Sequence, residues 1–253
     1  MITADLKGRT AFVSGGASGI GLATVELFAR SGAAVALNHL PGDRRGPAEI
    51  ERLRGEGLRI IASPGDVSQP GETETMVADA IAALGRLDFL VNNAGTAASS
   101  VPIPFADLDA LGEEVWSKIL GTNLLGAFRC VHAAAAALKA ARGAICNTAS
   151  IAGIMGSGSS IPYAASKAGL INLTRALART LAPEVRVNAV APGHVDSPWN
   201  KEWPAERKAA SIARTPLKRA CKPGDIAEAI LFLCAGGAMV TGQTLVVDGG
   251  LTL

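Results

Sequence analysis

The sequence predicts an α/β fold, a doubly wound parallel sheet of about seven strands with helices on both faces. Three observations lead there. Short apolar runs alternate with helical-period segments along the whole chain. A glycine-rich turn, Ser14-Gly-Gly-Ala-Ser-Gly-Ile-Gly21, joins the first apolar run to the first helical segment. No Pro- or Ser-rich linker and no repeat at a solenoid period interrupts the pattern, so residues 1–253 are expected to form one domain.

Each element has its own local reason. Thr10-Ala-Phe-Val13 is apolar with a β-branched end and reads as the first strand. Residues 22–30 read as a helix ending near Ser31-Gly32, and residues 33–37 as the second strand, which completes a βαβ unit. Gly15 permits the tight turn between them. Gly19 and Gly21 let backbone N–H groups and the helix approach a pyrophosphate, which the helix N-terminus would face. Residues 58–62 are a third strand leading to Gly65-Asp66-Val67, and residues 73–84 a helix with Met76, Val77, Ala80, Ile81 and Leu84 on its apolar side. Residues 87–91 are a fourth strand, followed by Asn92-Asn-Ala-Gly95.

The long stretch 108–140 reads as helix, interrupted around Gly112 or Gly121. Residues 144–148 are a fifth strand ending at Ser150. Residues 153–161, rich in Gly and Ser, are a loop, and Pro162 suits the first turn of a helix running to Leu181. Residues 185–190 are a sixth strand before Pro192-Gly193, residues 225–233 a helix, and residues 244–247 a last strand before Asp248-Gly-Gly250. In such a sheet ligands sit beyond the carboxyl ends of the strands. The glycine turn, Asp66, the 92–95 loop, Ser150 and Pro192-Gly193 all follow strands directly and are expected to line one crevice.

Composition narrows the function. The formal net charge is +2 with no long run of Lys and Arg, which gives no nucleic-acid footprint. Aromatic residues make up 4% of the chain against 49% hydrophobic overall, so Ala and Gly supply much of the packing. Cys130, Cys146, Cys221 and Cys234 are far apart and form no Cys-x-x-Cys pair, so neither a metal site nor a disulfide framework is indicated. No apolar stretch has signal-peptide length at the N-terminus, and none reaches the roughly 18 unbroken residues of a membrane span. A cytoplasmic protein without membrane contact is the expectation.

The chain has one tyrosine, Tyr163, and Lys167 follows it at helical spacing on the same face. An ammonium near a phenol favours the phenolate and lowers the tyrosine pKa toward working pH. A Ser150 hydroxyl beside them would hydrogen-bond the same substrate oxygen. On the short Tyr-x-x-x-Lys pattern alone, a half-buried aromatic beside a solvated lysine is the simpler account.

The ordered set settles the choice. Ser14-Gly-x-x-x-Gly-x-Gly21, Gly65-Asp66-Val67, Asn92-Asn-Ala-Gly95, Asn123, Ser150, Tyr163-x-x-x-Lys167, Pro192-Gly193 and Asp248-Gly-Gly250 span nearly the whole chain. In order and spacing the set resembles the compact short-chain dehydrogenase/reductases, near the 3-oxoacyl-carrier-protein reductase and glucose dehydrogenase branch. The resemblance implies a Rossmann-type oxidoreductase that moves a hydride between a nicotinamide cofactor and a carbonyl or secondary alcohol. It implies Tyr163 as general acid in reduction and base in oxidation, with Lys167 lowering its pKa and binding the nicotinamide ribose. Ser150 would polarise the substrate carbonyl. Asn123 would hold a water that links Lys167 to solvent, a role compatible with kinking its helix by satisfying a backbone carbonyl.

By the same resemblance, cofactor contacts are expected from Gly15, Ser18, Gly19, Ile20 and Gly21 at the glycine turn and from Asp66 and Val67 at adenine. Asn93, Ala94 and Gly95 would lie near the adenosine ribose, and Pro192, Gly193, Val195 and Ser197 near the nicotinamide carboxamide. Ser14 and Ser197 stand where most of the family has Thr, and each keeps the hydroxyl.

Cofactor choice is read at the end of the second strand, which meets the adenosine ribose. Asn38 and His39 stand there, with no carboxylate to repel a 2′-phosphate, and Asn38 or a protonated His39 could donate to one. Arg44 and Arg45 follow. NADP(H) is favoured, with NAD(H) the alternative. The substrate wall is expected from residues 151–161, 96–105 and 194–216, the last a lid with Trp199 and Trp203. Ala152, His194 and Trp199 are the candidates for substrate contact beside Ser150 and Tyr163. The family is usually tetrameric, so a homotetramer is expected. A cofactor-holding sensor without turnover is the competing reading, and it has no need of a tuned phenol.

Overall fold

The computed structural model describes residues 3–253. Its strands are β1 (Thr10–Val13), β2 (Ala34–His39), β3 (Ile60–Pro64), β4 (Phe89–Asn92), β5 (Ala144–Thr148), β6 (Arg186–Pro192) and β7 (Thr244–Val247). They pair in parallel in the order β3-β2-β1-β4-β5-β6-β7. Strands β1, β2, β4 and β5 are buried at every position, as the central strands of a sheet covered on both faces must be.

The helices are α1 (Gly19–Arg30), α2 (Arg45–Gly55), α3 (Glu72–Leu84), α4 (Glu113–Leu120), α5 (Ala127–Ala141), α6 (Ala152–Met155), α7 (Ile161–Leu181), α8 (Ala205–Arg214) and α9 (Pro223–Ala235). One face of the sheet is covered by α1, α2 and α9 through Val25, Phe28, Ile50, Leu53, Ile226 and Ile230. The other is covered by α3, α5 and α7 through Met76, Val77, Val131, Leu138 and Leu177. Burying each such large side chain contributes about 1.5–3 kcal/mol. The four cysteines are free and buried, in keeping with small core hydrophobes.

Registry fixes the level of the strand ends. Val13 pairs with Val91, Asn92 with Asn147, and Thr148 with Val190, so the segments after β1, β4, β5 and β6 emerge side by side. The order reverses at β1, between β2 and β4, and this switch point opens a crevice at the carboxyl ends. A buried polar ladder sets α7 above it. Asn92 Nδ2 donates to Asn147 Oδ1 (2.8 Å), Asn147 Nδ2 to Thr174 Oγ1 (2.9 Å), and Thr174 Oγ1 to the Leu170 carbonyl (2.8 Å).

The structure differs from the sequence reading in several places. Residues 108–112 are not helical; they form turns, and α4 starts after an extended Gly112. The interruption at Gly121 is a π-helical turn, Gly121–Gly126, that carries Asn123 and joins α4 to α5. The Gly/Ser-rich 153–161 stretch includes part of the short α6 and the first residue of α7. Helix α2 has no counterpart in the sequence reading, because Gly46 and Pro47 obscure its start and only one narrow face, Gly46, Ile50 and Leu53, is buried. The continuous run Glu113–Ala141 is long and apolar enough for a membrane span by length and composition alone, and here it packs against α3 and α7.

Candidate active site

A cleft of about 850 Å³ opens at the carboxyl ends of the strands. Its floor at one end is the glycine turn. Gly15 has φ +61°, and a Cβ there would lie 2.9 Å from Ala94 Cα; a Cβ on Gly21 would lie 2.1 Å from the Gly15 carbonyl oxygen. Only glycine lets α1 start so close to its own turn. Gly15, Ser18, Gly19 and Ile20 line the cleft, while Gly21 packs behind them. The first turn of α1 contains no acidic residue, and Ser18 makes no side-chain cap. Its N–H groups and helix dipole are therefore left to an anion, which is what a cofactor pyrophosphate requires.

The neighbouring loop holds this turn in place. Ser14 Oγ accepts from the N–H groups of Asn93 and Ala94, both at 3.0 Å. Asn93 Nδ2 donates back to the carbonyls of Ser14 (3.2 Å) and Gly15 (3.1 Å). Asn93, Ala94 and Gly95 form the wall at this point, with Asp66 and Val67 further along it. Asp66 Oδ1 is engaged by the Ser68 N–H at 2.8 Å.

Asn38 requires a correction. Its side chain is buried: Nδ2 faces the carbonyls of Ser63 (3.0 Å) and Gly65 (2.9 Å) and the Met76 sulfur (2.9 Å), while Oδ1 accepts from the Gly15 N–H (3.0 Å). It braces the glycine turn and has no donor left for a phosphate. His39 is buried with Nδ1 2.9 Å from the Leu40 carbonyl, and its ring packs against Gly46. The absence of a carboxylate near this strand end is also corrected. Asp43 lies on the cleft wall, clasped through two hydrogen bonds by Arg45 (2.9 and 2.8 Å), which holds its carboxyl below the usual range. Arg44 does not reach the cleft.

At the other end α7 delivers Tyr163 and Lys167. Ser160 caps the helix, accepting from the Tyr163 N–H, and Pro162 sits in the first turn. Lys167 is buried, and Nζ donates to the Thr148 carbonyl at 2.7 Å. Burial lowers its pKa to about 8. Tyr163 is half-buried, and loss of solvent pushes its phenol up to about 12, with the nearby Ser150 hydroxyl pulling the other way. The expected lowering of the tyrosine by its lysine is thus reversed here. The ammonium lies 5.7 Å from the ring centroid and is tied to a carbonyl, so desolvation prevails.

Asn123 does not line the cleft; it stands behind it with its amide fully used. Oδ1 accepts from the Thr96 N–H (2.7 Å), and Nδ2 donates to the Thr96 carbonyl (3.0 Å) and to Ser166 Oγ (3.0 Å). A Cβ on Gly95 would lie 3.4 Å from Asn123 Oδ1 and 3.7 Å from Lys167 Nζ, so the two side chains converge on that glycine. The side chain thus satisfies backbone groups of the 96–98 loop, a role compatible with a place on a proton relay.

The remaining wall comes from β6 and the lid. Pro192, Gly193, His194, Val195 and Ser197 all reach the cleft. Gly193 is pressed on Asp248, and Ser197 Cβ is 3.6 Å from the place of a Gly19 Cβ, so the lid meets the glycine turn. Ser197 then opens a 3₁₀ turn, Pro198–Asn200, that puts the Trp199 ring 5.7 Å from Tyr163. His194 stacks on Trp203 at 6.3 Å, and its buried Nδ1 has no partner. Ala152 lines the cleft beside Ser150. The sequence reading did not single out Asp43, Arg207, Ser211 and Arg214, which also reach it.

The arrangement can place a phenol and a serine hydroxyl on one oxygen, beside a cradle for a dinucleotide. A family model described as enoyl-(acyl carrier protein) reductase matches residues 15–252. The cis-4-hydroxycyclohexanecarboxylate dehydrogenase of Sinomonas cyclohexanicum is 40% identical over 96% of both chains. The 3-oxoacyl-(acyl-carrier-protein) reductase of Thermotoga maritima is 36% identical over 98% of this chain and 99% of its own. A blue fluorescent protein from a metagenomic library, solved in complex with NADPH, superposes with a TM-score of 0.89 at 32% identity, over 99% of this chain and 100% of that one.

Proposed function

The chain belongs to the short-chain dehydrogenase/reductase family, and from that premise we propose how its residues divide the chemistry. It is an NAD(P)-dependent oxidoreductase acting on carbonyl and alcohol groups. When bound, the nicotinamide supplies or accepts the hydride. Tyr163 is the general acid in reduction, donating its proton to the substrate oxygen, and the base in oxidation. A phenol raised to about 12 is fully protonated at neutral pH, which is the form reduction needs. Ser150, which lines the cleft with Tyr163, donates to the same oxygen as negative charge builds on it.

Lys167 orients the ribose and, when protonated, stabilises the phenolate left behind. Asn123 holds the 96–98 loop and Ser166 in position for them and stands at the inner end of the proton path. The observation that carries this reading is the convergence of Ser150, Tyr163 and Lys167 on one cleft that also takes in the uncapped N-terminus of α1.

The cofactor we favour is NADP(H), with NAD(H) as the alternative. Arg45 on the cleft wall carries this preference, and Asp43 beside it is neutralised by the same arginine. Residues 1–253 act as one domain, with the lid around 194–216 closing over the nicotinamide. We further propose a cytoplasmic homotetramer without membrane contact. Exposed Leu125 and Phe128 before and on α5, and Leu245, Val246 and Leu253 at the C-terminal end, offer the apolar surface such an assembly buries. The test is turnover of a panel of ketones and secondary alcohols, followed at the reduced nicotinamide absorbance band with each cofactor. Tight cofactor binding with no turnover of any class would favour a sensor instead.

A further inference from the structure

Helix α8 forms the outer wall of the substrate end of the cleft. The residues it sets on the cleft rim are Arg207, Ala210, Ser211 and Arg214, which fall at i, i+3, i+4 and i+7 and so share one face; both arginines stay exposed to solvent. A lid over a purely apolar substrate would present Leu, Ile or Phe here. This face instead has a guanidinium at each end and two small residues between.

Neither arginine is neutralised. Among the described residues, Arg207 and Arg214 take part in none of the ion pairs. The acidic residues near them in sequence, Asp196, Glu202 and Glu206, do not reach the cleft. The carboxylates that do, Asp43 and Asp66, lie at the opposite, adenosine end, where the first is paired with Arg45 and the second caps a turn. Unlike its adenosine end, the substrate end carries uncompensated positive charge.

Arg207 is also held in place. Its guanidinium lies 4.9 Å from the centroid of the Trp203 ring, which in turn stacks on His194. One Nη2 donor reaches across to the Gly158 carbonyl at 2.8 Å. Gly158 is against the catalytic tyrosine, since a Cβ there would lie 3.5 Å from Tyr163 Cδ1. The cation is therefore fixed one residue away from the ring whose phenol meets the substrate oxygen. That single hydrogen bond leaves most of the five N–H donors of Arg207 unspent at the cleft rim.

We propose that this enzyme selects substrates that carry a carboxylate a short distance from the reacting carbonyl or hydroxyl carbon, and that Arg207 with Arg214 receives that carboxylate. The inference rests on the oxidoreductase reading above and names the substrate class of the same site. A planar carboxylate matches the fork of a guanidinium, and Ser211 lies between the two arginines to donate a further hydrogen bond. The Arg207 to Gly158 bond then closes the lid over an acid whose far end is already oriented toward Tyr163.

The test compares a cyclic oxo acid, 4-oxocyclohexanecarboxylate, with its methyl ester and with cyclohexanone, on the full-length enzyme with saturating reduced cofactor. The wild type is expected to prefer the acid to the ester by about ten- to a hundredfold in kcat/KM, mostly through KM. That preference should shrink as salt is raised, because the contact is partly solvated. Arg207→Gln is expected to lose most of the preference, with kcat/KM falling much further for the acid than for the ester or cyclohexanone; Arg207→Lys, which keeps the charge, should recover part of it.

Equal losses on acid and ester in Arg207→Gln would show a lid-holding role alone and overturn the proposal. So would a wild type that turns over cyclohexanone as well as the acid, leaving the reaction class intact. If a wild type with bound cofactor reduces none of the three, this proposal falls, and the oxidoreductase reading falls with it only if the wider panel of ketones and secondary alcohols gives no turnover either.

Discussion

Lys167 Nζ sits 5.7 Å from the centroid of the Tyr163 ring and spends a 2.7 Å hydrogen bond on the Thr148 carbonyl. The pair are neighbours on one helix face without a direct bond between ammonium and phenol. Burial acts on them in opposite directions, lowering the lysine to about 8 and raising the tyrosine to about 12. Without cofactor the site therefore rests with a neutral phenol and an ammonium that is only loosely held.

That arrangement has a cost in stability, and its sign can be worked out. A lysine whose native pKa is depressed binds its proton less well folded than unfolded. It weakens the fold most at and below pH 8, and the penalty fades as pH rises toward the ordinary lysine value. Lys167→Met is expected to abolish most activity, yet to be more stable than wild type at pH 7 by up to about 3 kcal/mol, less what the unpartnered Thr148 carbonyl costs. Between pH 7 and 9.5 the wild type should recover about 2 kcal/mol relative to the variant. Urea unfolding of both proteins at the two pH values checks this; a difference independent of pH would contradict it.

Asn123 should behave differently. Its amide satisfies both backbone groups of Thr96 and the Ser166 hydroxyl, and it is buried. Asn123→Ala strands these partners and is expected to cost about 2–4 kcal/mol in unfolding free energy together with a large fall in kcat. A variant that loses activity at unchanged stability would assign Asn123 a direct part in proton movement instead.

Cofactor preference turns on the Asp43 and Arg45 pair. Arg45→Ala removes the one cleft-wall cation near β2 and releases the Asp43 charge, so both changes disfavour a 2′-phosphate. The expectation is a roughly tenfold or greater fall in kcat/KM for NADPH, with NADH changed by less than about threefold. Equal effects on the two cofactors would remove Arg45 from the account.

Much of this was readable in the chain because local pattern and global fold agree. Apolar runs of β1, β4 and β5 are central strands, and the glycine turn leaves β1 for α1 with no residue to spare. Side-chain engagement was harder to read. Asn38 sits at a strand end where a free amide would meet a phosphate, but three neighbours distant in sequence, Ser63, Gly65 and Met76, use its donors. Asp43 and Arg207 carried no motif, and only folding brings the first to the cofactor wall and the second over Gly158. The tyrosine pKa went the other way because spacing on a helix shows proximity to a charge but not loss of water.

The most direct test of the account is Tyr163→Phe, which deletes one hydroxyl and leaves the ring that packs near Trp199. Carbonyl reduction should fall by at least about a thousandfold, with cofactor affinity and thermal unfolding close to wild type. Retention of substantial turnover by this variant would show that the proton comes from elsewhere and would contradict the assignment on which the rest depends.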